Sequence, residues 1–305
     1  MYHYVRAPDP ALPYFRFLNI DNFRRQLDHF TECHGFVTRA EWQAFVTQGR
    51  WPEPSGKVVL TFDDAMSCHY THVFPELVAR GLWGIFYVPT GPYAGGGLLD
   101  VHRIHLLCGA RDGQALWEHA RGLVTEEMIP HARRAAFREA TYTGQANNPG
   151  VSEVKRLLNY FIDEALRSAL IDRIAADFGV AVDPERFYVA PAALCEMARA
   201  GMLIGAHSVS HPVMSKLGPG AQAREISGSL DWIARTIGAQ PVTSYCHPYG
   251  GDHSFDSHTL RLLREHGVDF AFSVEPRDIA PGDRARRVLA LPRHDCNLFP
   301  YGHAD

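Results

Sequence analysis

Basic residues are not in excess. Thirty Lys and Arg against 34 Asp and Glu leave a net charge of −4. That balance lacks the electrostatic footprint of a nucleic-acid-binding protein, and no nucleic-acid partner is expected. An anionic substrate stays open, because local charge can differ from the total. No run approaches the roughly 18 consecutive apolar residues of a membrane span. The opening MYHYVRAPDP has no basic stretch leading into an apolar one, so no signal peptide is expected and the reading is a cytoplasmic protein. The six cysteines, at 33, 68, 108, 195, 246 and 296, form no CxxC pair, and they read as reduced thiols rather than a disulfide frame. Internal repeats and low-complexity tracts are lacking too.

What is present is an ordinary globular composition, 46% apolar and 21% charged, over 305 residues. This length buries a large core and is normal for an α/β barrel. Apolar β-branched runs alternate with helical patterns. Strands are expected at 57–62, 84–89, 202–206, 242–246, 270–274 and 287–291. Helices are expected at 72–80, 192–200, 222–237 and 258–266, ending at Gly81, Gly201, Gly238 and Gly267. Strands separated by helices argue for βαβ units and a parallel sheet. From about Gly95 to Gly179 the rhythm breaks. Val154, Leu157, Leu158, Phe161, Ile162, Ala165, Leu166, Leu170 and Ile174 recur at helical steps, which predicts an amphipathic helix or two with a bend. The Gly95–Gly97 run and the Asn147–Gly150 turn delimit this helical insertion, whose expected role is packing against the barrel wall.

Chemistry-bearing residues collect where strands end, which is where parallel α/β sheets place their ligands. TFDD, residues 61–64, ends one strand with two acids, and both can serve one site only if the chain is already turning there. A helix cap is the competing reading for an Asp in that place. HSVSH, residues 207–211, follows another strand with two histidines four apart. With 17 histidines, about one such pair arises by chance, so its weight comes from context. On a helical turn the two rings share a face, and two imidazoles plus one carboxylate make a metal site with open positions. Such a metal lowers the pKa of a bound water to about 7. YCHPYG, residues 245–250, ends a third strand with a turn that can aim a backbone N–H into a pocket, though an ordinary barrel turn looks the same. LPRHD, residues 291–295, ends the last strand.

Taken together, these stretches resemble the polysaccharide deacetylases of the NodB-homology type, carbohydrate esterase family 4. TFDD at 61–64, HSVSH at 207–211 and CHPYG at 246–250 carry the resemblance, which spans about 58–94 and 188–296; the opening MYHYV is similar to a common first strand. The resemblance implies a distorted (β/α)7 barrel, here a single domain over 1–305 with the helical insertion at about 95–179. It implies Asp63 as general base and Asp64, His207 and His211 as ligands of a divalent metal, with zinc the expected ion. Tyr249 would lend its backbone amide to the oxyanion, and His294 would be the general acid. Three departures are visible. Ala65 stands where glycine is usual, Cys246 stands where an arginine that pairs with the base is usual, and the Asp-Trp motif of secreted members has no counterpart. Arg293 is the candidate replacement for that arginine. Tyr93 and His247 are the candidate substrate contacts, while Trp83 and Tyr87 are expected in the core. The activity implied is removal of an N-acyl group, by expectation acetyl, from an amino sugar in a glycan, a lipid-linked glycan at the membrane face or a nucleotide sugar. A carbohydrate-binding relative without turnover, or a hydrolase of a non-sugar amide, are the alternatives.

Overall fold

The computed structural model describes residues 1–131, 149–180 and 187–303. They form two compact units. The first comprises Met1–Ala7, Phe17–Gly97 and Glu185–Asp305; the second comprises Pro8–Arg16 and Leu98–Pro184.

The first unit is built on a parallel sheet. Two short strands, β1 (Val5–Arg6) and β2 (Leu18–Asn19), pair with each other. The main sheet runs β3 (Thr61–Phe62), β4 (Ile85–Val88), β5 (Leu203–Ala206), β6 (Ser244–Cys246) and β7 (Phe270–Phe272), in sequence order and all parallel. Parallel neighbours in chain order need a crossover between each pair, and the helices supply it. Tyr2 bridges to Phe62 at one edge and Leu291 to Phe272 at the other, which adds a stave on each side. The Cys296 amide donates to the Met1 carbonyl at 3.1 Å and brings these two outer segments together. The result is the distorted (β/α) barrel, with a five-stranded curled sheet at its centre.

Side chains alternate across this sheet, as the two-residue period of a strand requires. Phe62, Phe86, Val88, Ile204, Tyr245 and Ala271 pack outward with Leu77, Leu194, Ile226 and Leu263 of the surrounding helices. Ile85, Tyr87, Leu203, Cys246, Phe270 and Phe272 pack inward with Trp42 and Phe45, and Trp42 stacks on Phe272. Helix Arg39–Gln48, which carries Trp42 and Phe45, starts at a reciprocal cap between Thr38 and Glu41. Tyr87 is wholly buried in the core, and the half-buried Trp83 packs against that core, its indole donating to the Val37 carbonyl at 2.7 Å.

The expected helices at 192–200, 222–237 and 258–266 are found at Pro191–Arg199, Pro219–Ile237 and Ser257–Glu265. The one expected at 72–80 begins earlier, as a π-turn over His69–Val73 that runs into Phe74–Ala79. The strands are shorter than their apolar runs. Of 57–62 only Thr61–Phe62 joins the sheet, while Val58 bridges to Phe36. The strand expected at 287–291 is corrected. Asp283–Arg287 is helical and Val288–Ala290 is a 3-10 turn, so only Leu291 and Arg293 reach the sheet as isolated bridges. Arg287 lies in that helix with its guanidinium on Glu275, and the apolar residues after it pack at the barrel rim rather than along an edge.

The second unit is helical: Asp100–Ala110, Gly113–Leu123, Pro149–Arg156 and Glu164–Phe178, with no strand among its described residues. The expected bend exists. A π-turn at Leu157–Phe161 ends in extended Ile162, and Asp163 caps the next helix by accepting from the Ala165 amide. Of the turn expected at 147–150, Asn147 and Asn148 lie outside the described residues; Pro149 and Gly150 open a helix instead. Gly150 is required there, since a Cβ would come within 2.3 Å of the Gly113 backbone. Among the described residues no helix is long and apolar enough to cross a membrane.

Candidate functional site

Among the described residues, five of the six non-glycine residues with positive φ stand at the carboxyl ends of strands: Asp64 (79°), Ala65 (50°), Ser208 (63°), His211 (56°) and Tyr249 (62°). Such conformations are sparsely populated, and the surrounding structure must hold them. At Asp64 and Ala65 the chain turns sharply off β3, which is how two adjacent acids come to serve one region. Ala65 occupies a left-handed position that glycine fills without steric cost. A cap role for these acids is not what the structure shows, since both carboxylates are buried among polar and charged groups.

Asp64, His207 and His211 are brought together. One ligand atom from each lies within 4.8 Å of the other two, and all three residues are buried. The Asp64 Oδ1 is 3.5 Å from His207 Nε2 and 3.6 Å from His211 Nε2. Ligands about 2.0–2.2 Å from a tetrahedral zinc sit about 3.4 Å apart, so the spacing matches a shared ion. His207 is prepared for that role. Its Nδ1 donates to the Cys246 carbonyl at 2.7 Å, which fixes the tautomer and leaves the Nε2 lone pair facing Asp64. Burial lowers the His207 pKa, opposed by Asp63 and Asp64, and the ring stays neutral as a ligand must be.

The histidine pair is not on a helical turn, as expected, but on an irregular loop. Its conformation is fixed from outside: Glu225 accepts from the Val209 and Ser210 amides at 2.8 Å each and from the Ser210 hydroxyl at 2.6 Å. The Ser208 hydroxyl accepts from the His211 amide at 3.0 Å. Ser208 belongs to the HSVSH stretch, but Glu225 was not marked by the sequence. Glu225 lies on a helix 14 or more residues away, and only the fold brings it to the loop.

Asp63 faces Arg293. Two parallel hydrogen bonds of 2.8 Å join the guanidinium to both carboxylate oxygens, and Arg293 also donates to Thr61 Oγ1 at 3.0 Å and to the Ser273 carbonyl at 3.2 Å. The Cys246 Sγ lies 2.9 Å from Arg293 Nη2, so a small residue on β6 leaves room for a guanidinium arriving from residue 293. Arg293 lies over the Phe272 and Tyr87 rings, which suits a weakly hydrated cation. Burial pushes the Asp63 carboxyl up, but the Arg293 charge and hydrogen bonds outweigh it and hold the group well below the usual carboxylate range. Burial drives the Cys246 thiol well above its ordinary value, so it stays protonated.

Tyr249 sits beside the cluster, its ring centre 4.9 Å from the His211 ring centre. The next residue, Gly250, is also left-handed, and a Cβ there would meet the Val274 side chain at 2.4 Å and its amide at 2.9 Å. The turn is thereby pinned against the segment that follows β7.

Three expected site residues are not brought into this arrangement. Arg293 is buried against Asp63, and its neighbour His294 projects the other way, as successive residues on extended backbone do. His294 Nε2 bonds the exposed Asp278 at 2.9 Å, with Phe299 against its ring, so it does not stand as a proton donor at Asp63 or Asp64. His247 is a core residue. It is 1% exposed, stacked on Phe255 at 3.9 Å, with Nε2 donating to the Leu289 carbonyl at 2.8 Å. Burial lowers its pKa to about 4. Tyr93 donates its hydroxyl to the Val189 carbonyl at 2.9 Å and stacks on Trp232 at 4.7 Å, so neither its oxygen nor that face is offered to a sugar. One group that the sequence did not mark stands at the site: His3, whose Nε2 is 4.0 Å from Asp64 Oδ2.

Residues 163–271 match the polysaccharide deacetylase family model. No curated protein matches the chain at a significant level. Among solved structures, a Streptococcus pyogenes deacetylase, PplD, in complex with acetate is 17% identical, covering 96% of this chain and 88% of its own, with a TM-score of 0.56. The BpsB deacetylase domain of Bordetella bronchiseptica is 15% identical, covering 96% and 94%, with a TM-score of 0.52. IcaB from Ammonifex degensii is 18% identical, covering 89% and 81%, with a TM-score of 0.50. At these identities the structural likeness is one of fold. Residues 163–271 thus resemble the polysaccharide deacetylases by family model, and the fold of nearly the whole chain is similar to that of solved deacetylases.

Proposed function

We propose that this protein is a metal-dependent hydrolase that removes an N-acyl group, acetyl in the first instance, from an amino sugar in a glycan, a lipid-linked glycan or a nucleotide sugar. The observation that carries the reading is the buried Asp64, His207 and His211 triad next to a carboxylate, Asp63, held ionised by Arg293. Two imidazoles and one carboxylate suit zinc, and three protein ligands are the number found in catalytic zinc sites. When bound, the ion supplies Lewis acidity that brings a water's pKa to about 7 and polarises an acyl oxygen.

The chain's own residues do the rest. Asp63 takes the proton of the water that attacks the acyl carbon. Arg293 aims Asp63 and keeps it deprotonated at neutral pH, so a base is always available. Tyr249 lends its backbone N–H to the oxygen on which charge develops. The C–N bond then breaks, and protonated Asp63 returns its proton to the departing amine, leaving the free amine and a carboxylic acid that loses its remaining proton to solvent and ends as carboxylate. This gives Asp63 both proton transfers, since His294 faces Asp278. The segment at about 95–179 is read as a helical insertion in a single barrel domain over 1–305. All six cysteines are free thiols, which fits a reducing compartment such as the cytoplasm.

The test is acetate release from N-acetylglucosamine oligomers and from a nucleotide-linked N-acetylamino sugar by the zinc-loaded protein. Turnover that is lost on chelation and restored by zinc supports the reading. Zinc-replete protein that binds these sugars without releasing acetate makes it a binding relative.

A further inference from the structure

The carboxylate of Asp64 has an imidazole on both sides. Its Oδ1 faces His207 and His211, whose side chains are 3% and 7% exposed; its Oδ2 faces His3, whose side chain is 40% exposed. His3 is therefore the ring on the solvent side of the cluster, and a molecule approaching from solvent meets it first.

Its position is built. The Tyr2 amide donates to the Thr61 carbonyl at 2.8 Å, and the Asp63 amide donates to the Tyr2 carbonyl at 2.9 Å, which sets residue 3 beside the turn at Asp63 and Asp64. The Tyr2 ring stacks on Phe62 at 5.2 Å, and its hydroxyl donates to Gln26 Oε1 at 2.6 Å, so the preceding residue is locked in the core. The Leu18 amide donates to the Tyr4 carbonyl at 2.9 Å on the other side. The His3 carbonyl accepts from Nε2 of His69, a fully buried ring at the head of the π-turn His69–Val73. π-Turns inside helices are frequent at functional sites, and this one turns a histidine back toward the first strand. A half-exposed histidine whose backbone is tied at three consecutive residues is a presented side chain.

We propose that His3 is a substrate-contacting residue, an imidazole that hydrogen-bonds the acylamino sugar as it lies over the cluster. The proposal rests on the deacylase reading and assigns to the N-terminal segment a place in substrate recognition. The contact is a hydrogen bond from a fixed ring, so a neutral group of similar reach replaces it in part.

The experiment uses the zinc-loaded full-length protein, with an N-acetylglucosamine oligomer as probe. Wild type, His3→Ala and His3→Gln are compared by acetate-release kinetics and zinc content, and oligomer binding is measured by calorimetry. Loss of one hydrogen bond to substrate predicts a rise of about tenfold in KM, or in Kd, for His3→Ala. The expected kcat stays within about threefold of wild type and zinc content is unchanged; His3→Gln recovers part of the KM. Unaltered KM and Kd in His3→Ala overturn the proposal. So does loss of zinc, which makes His3 a ligand, and so does a collapse of kcat that glutamine does not rescue. If wild type binds the oligomer but releases no acetate, the deacylase reading fails, while the Kd comparison still decides the role of His3. If wild type neither binds nor hydrolyses it, both fall.

Discussion

Replacing Arg293 with alanine removes the partner of a carboxylate that is almost wholly buried. Asp63 and Arg293 have side chains 4% and 5% exposed, and the guanidinium makes both of its 2.8 Å bonds to the two Asp63 oxygens. The pair itself need not stabilise the fold, because desolvating two ions offsets most of their attraction. Breaking it by truncating one member is different: an uncompensated buried charge costs about 3–5 kcal/mol. Arg293→Ala should therefore lower the unfolding free energy by about that amount. The double variant Arg293→Ala/Asp63→Asn should be more stable than Arg293→Ala alone, because the orphaned charge is gone. Urea titration followed by tryptophan fluorescence reads this well, since Trp42, Trp51, Trp83 and Trp232 lie in the barrel unit and only Trp117 in the helical one. Activity should fall about 10²-fold or more, the contribution of a proton-transfer group, as Asp63 loses both its aim and its charge. Arg293→Lys should be intermediate, because an ammonium keeps the charge but not the fork. If Arg293→Ala is as stable as wild type to within about 1 kcal/mol, or the double variant is no better than the single, the two groups are not coupled as the geometry requires.

The remaining predictions follow from the same residues. Asp63→Asn should retain zinc but lose about 10²–10⁴-fold in turnover, and near-normal turnover would remove Asp63 from the base role. His211→Ala should lower zinc content and turnover together, measured by metal analysis before and after dialysis; unchanged zinc would remove His211 as a ligand. Glu225→Ala frees the loop that holds both histidines. Weaker zinc binding with a fold unaltered by circular dichroism is expected, and wild-type zinc affinity would count against the clamp. His247 has a folded pKa of about 4, below its unfolded value, so burial favours the neutral ring. Its stabilisation is complete above pH 6.5 and is lost as the pH falls toward 4. By pH 5 the loss is about 2 kcal/mol. His247→Gln should lack that component, so the gap between wild type and variant in urea midpoint should shrink from pH 7.5 to pH 5; a constant gap would refute it.

Much of the site was legible because it rests on residues whose chemistry is local. TFDD and HSVSH each follow an apolar run, and a parallel sheet places such ends together, so the grouping of Asp64, His207 and His211 could be expected without coordinates. Helix ends were legible for a similar reason, since Gly201 and Gly267 have the positive φ that stops a helix. Strand lengths were not, because an apolar run says that residues are buried, not that a neighbouring strand runs beside all of them. At 287–291 the same burial is met by helical turns packed on the rim.

By itself the sequence determined which chemical groups stand at which turns, since residue type and local backbone preference are properties of short stretches. The tertiary structure alone decided which of them face each other. Arg293 rather than His294 meets Asp63 because alternation on extended chain has a phase, and that phase is set by pairing with Phe272 and Glu275. His3 reaches Asp64, and Glu225 holds the histidine loop, because the sheet and its crossovers carry them there from distant parts of the chain.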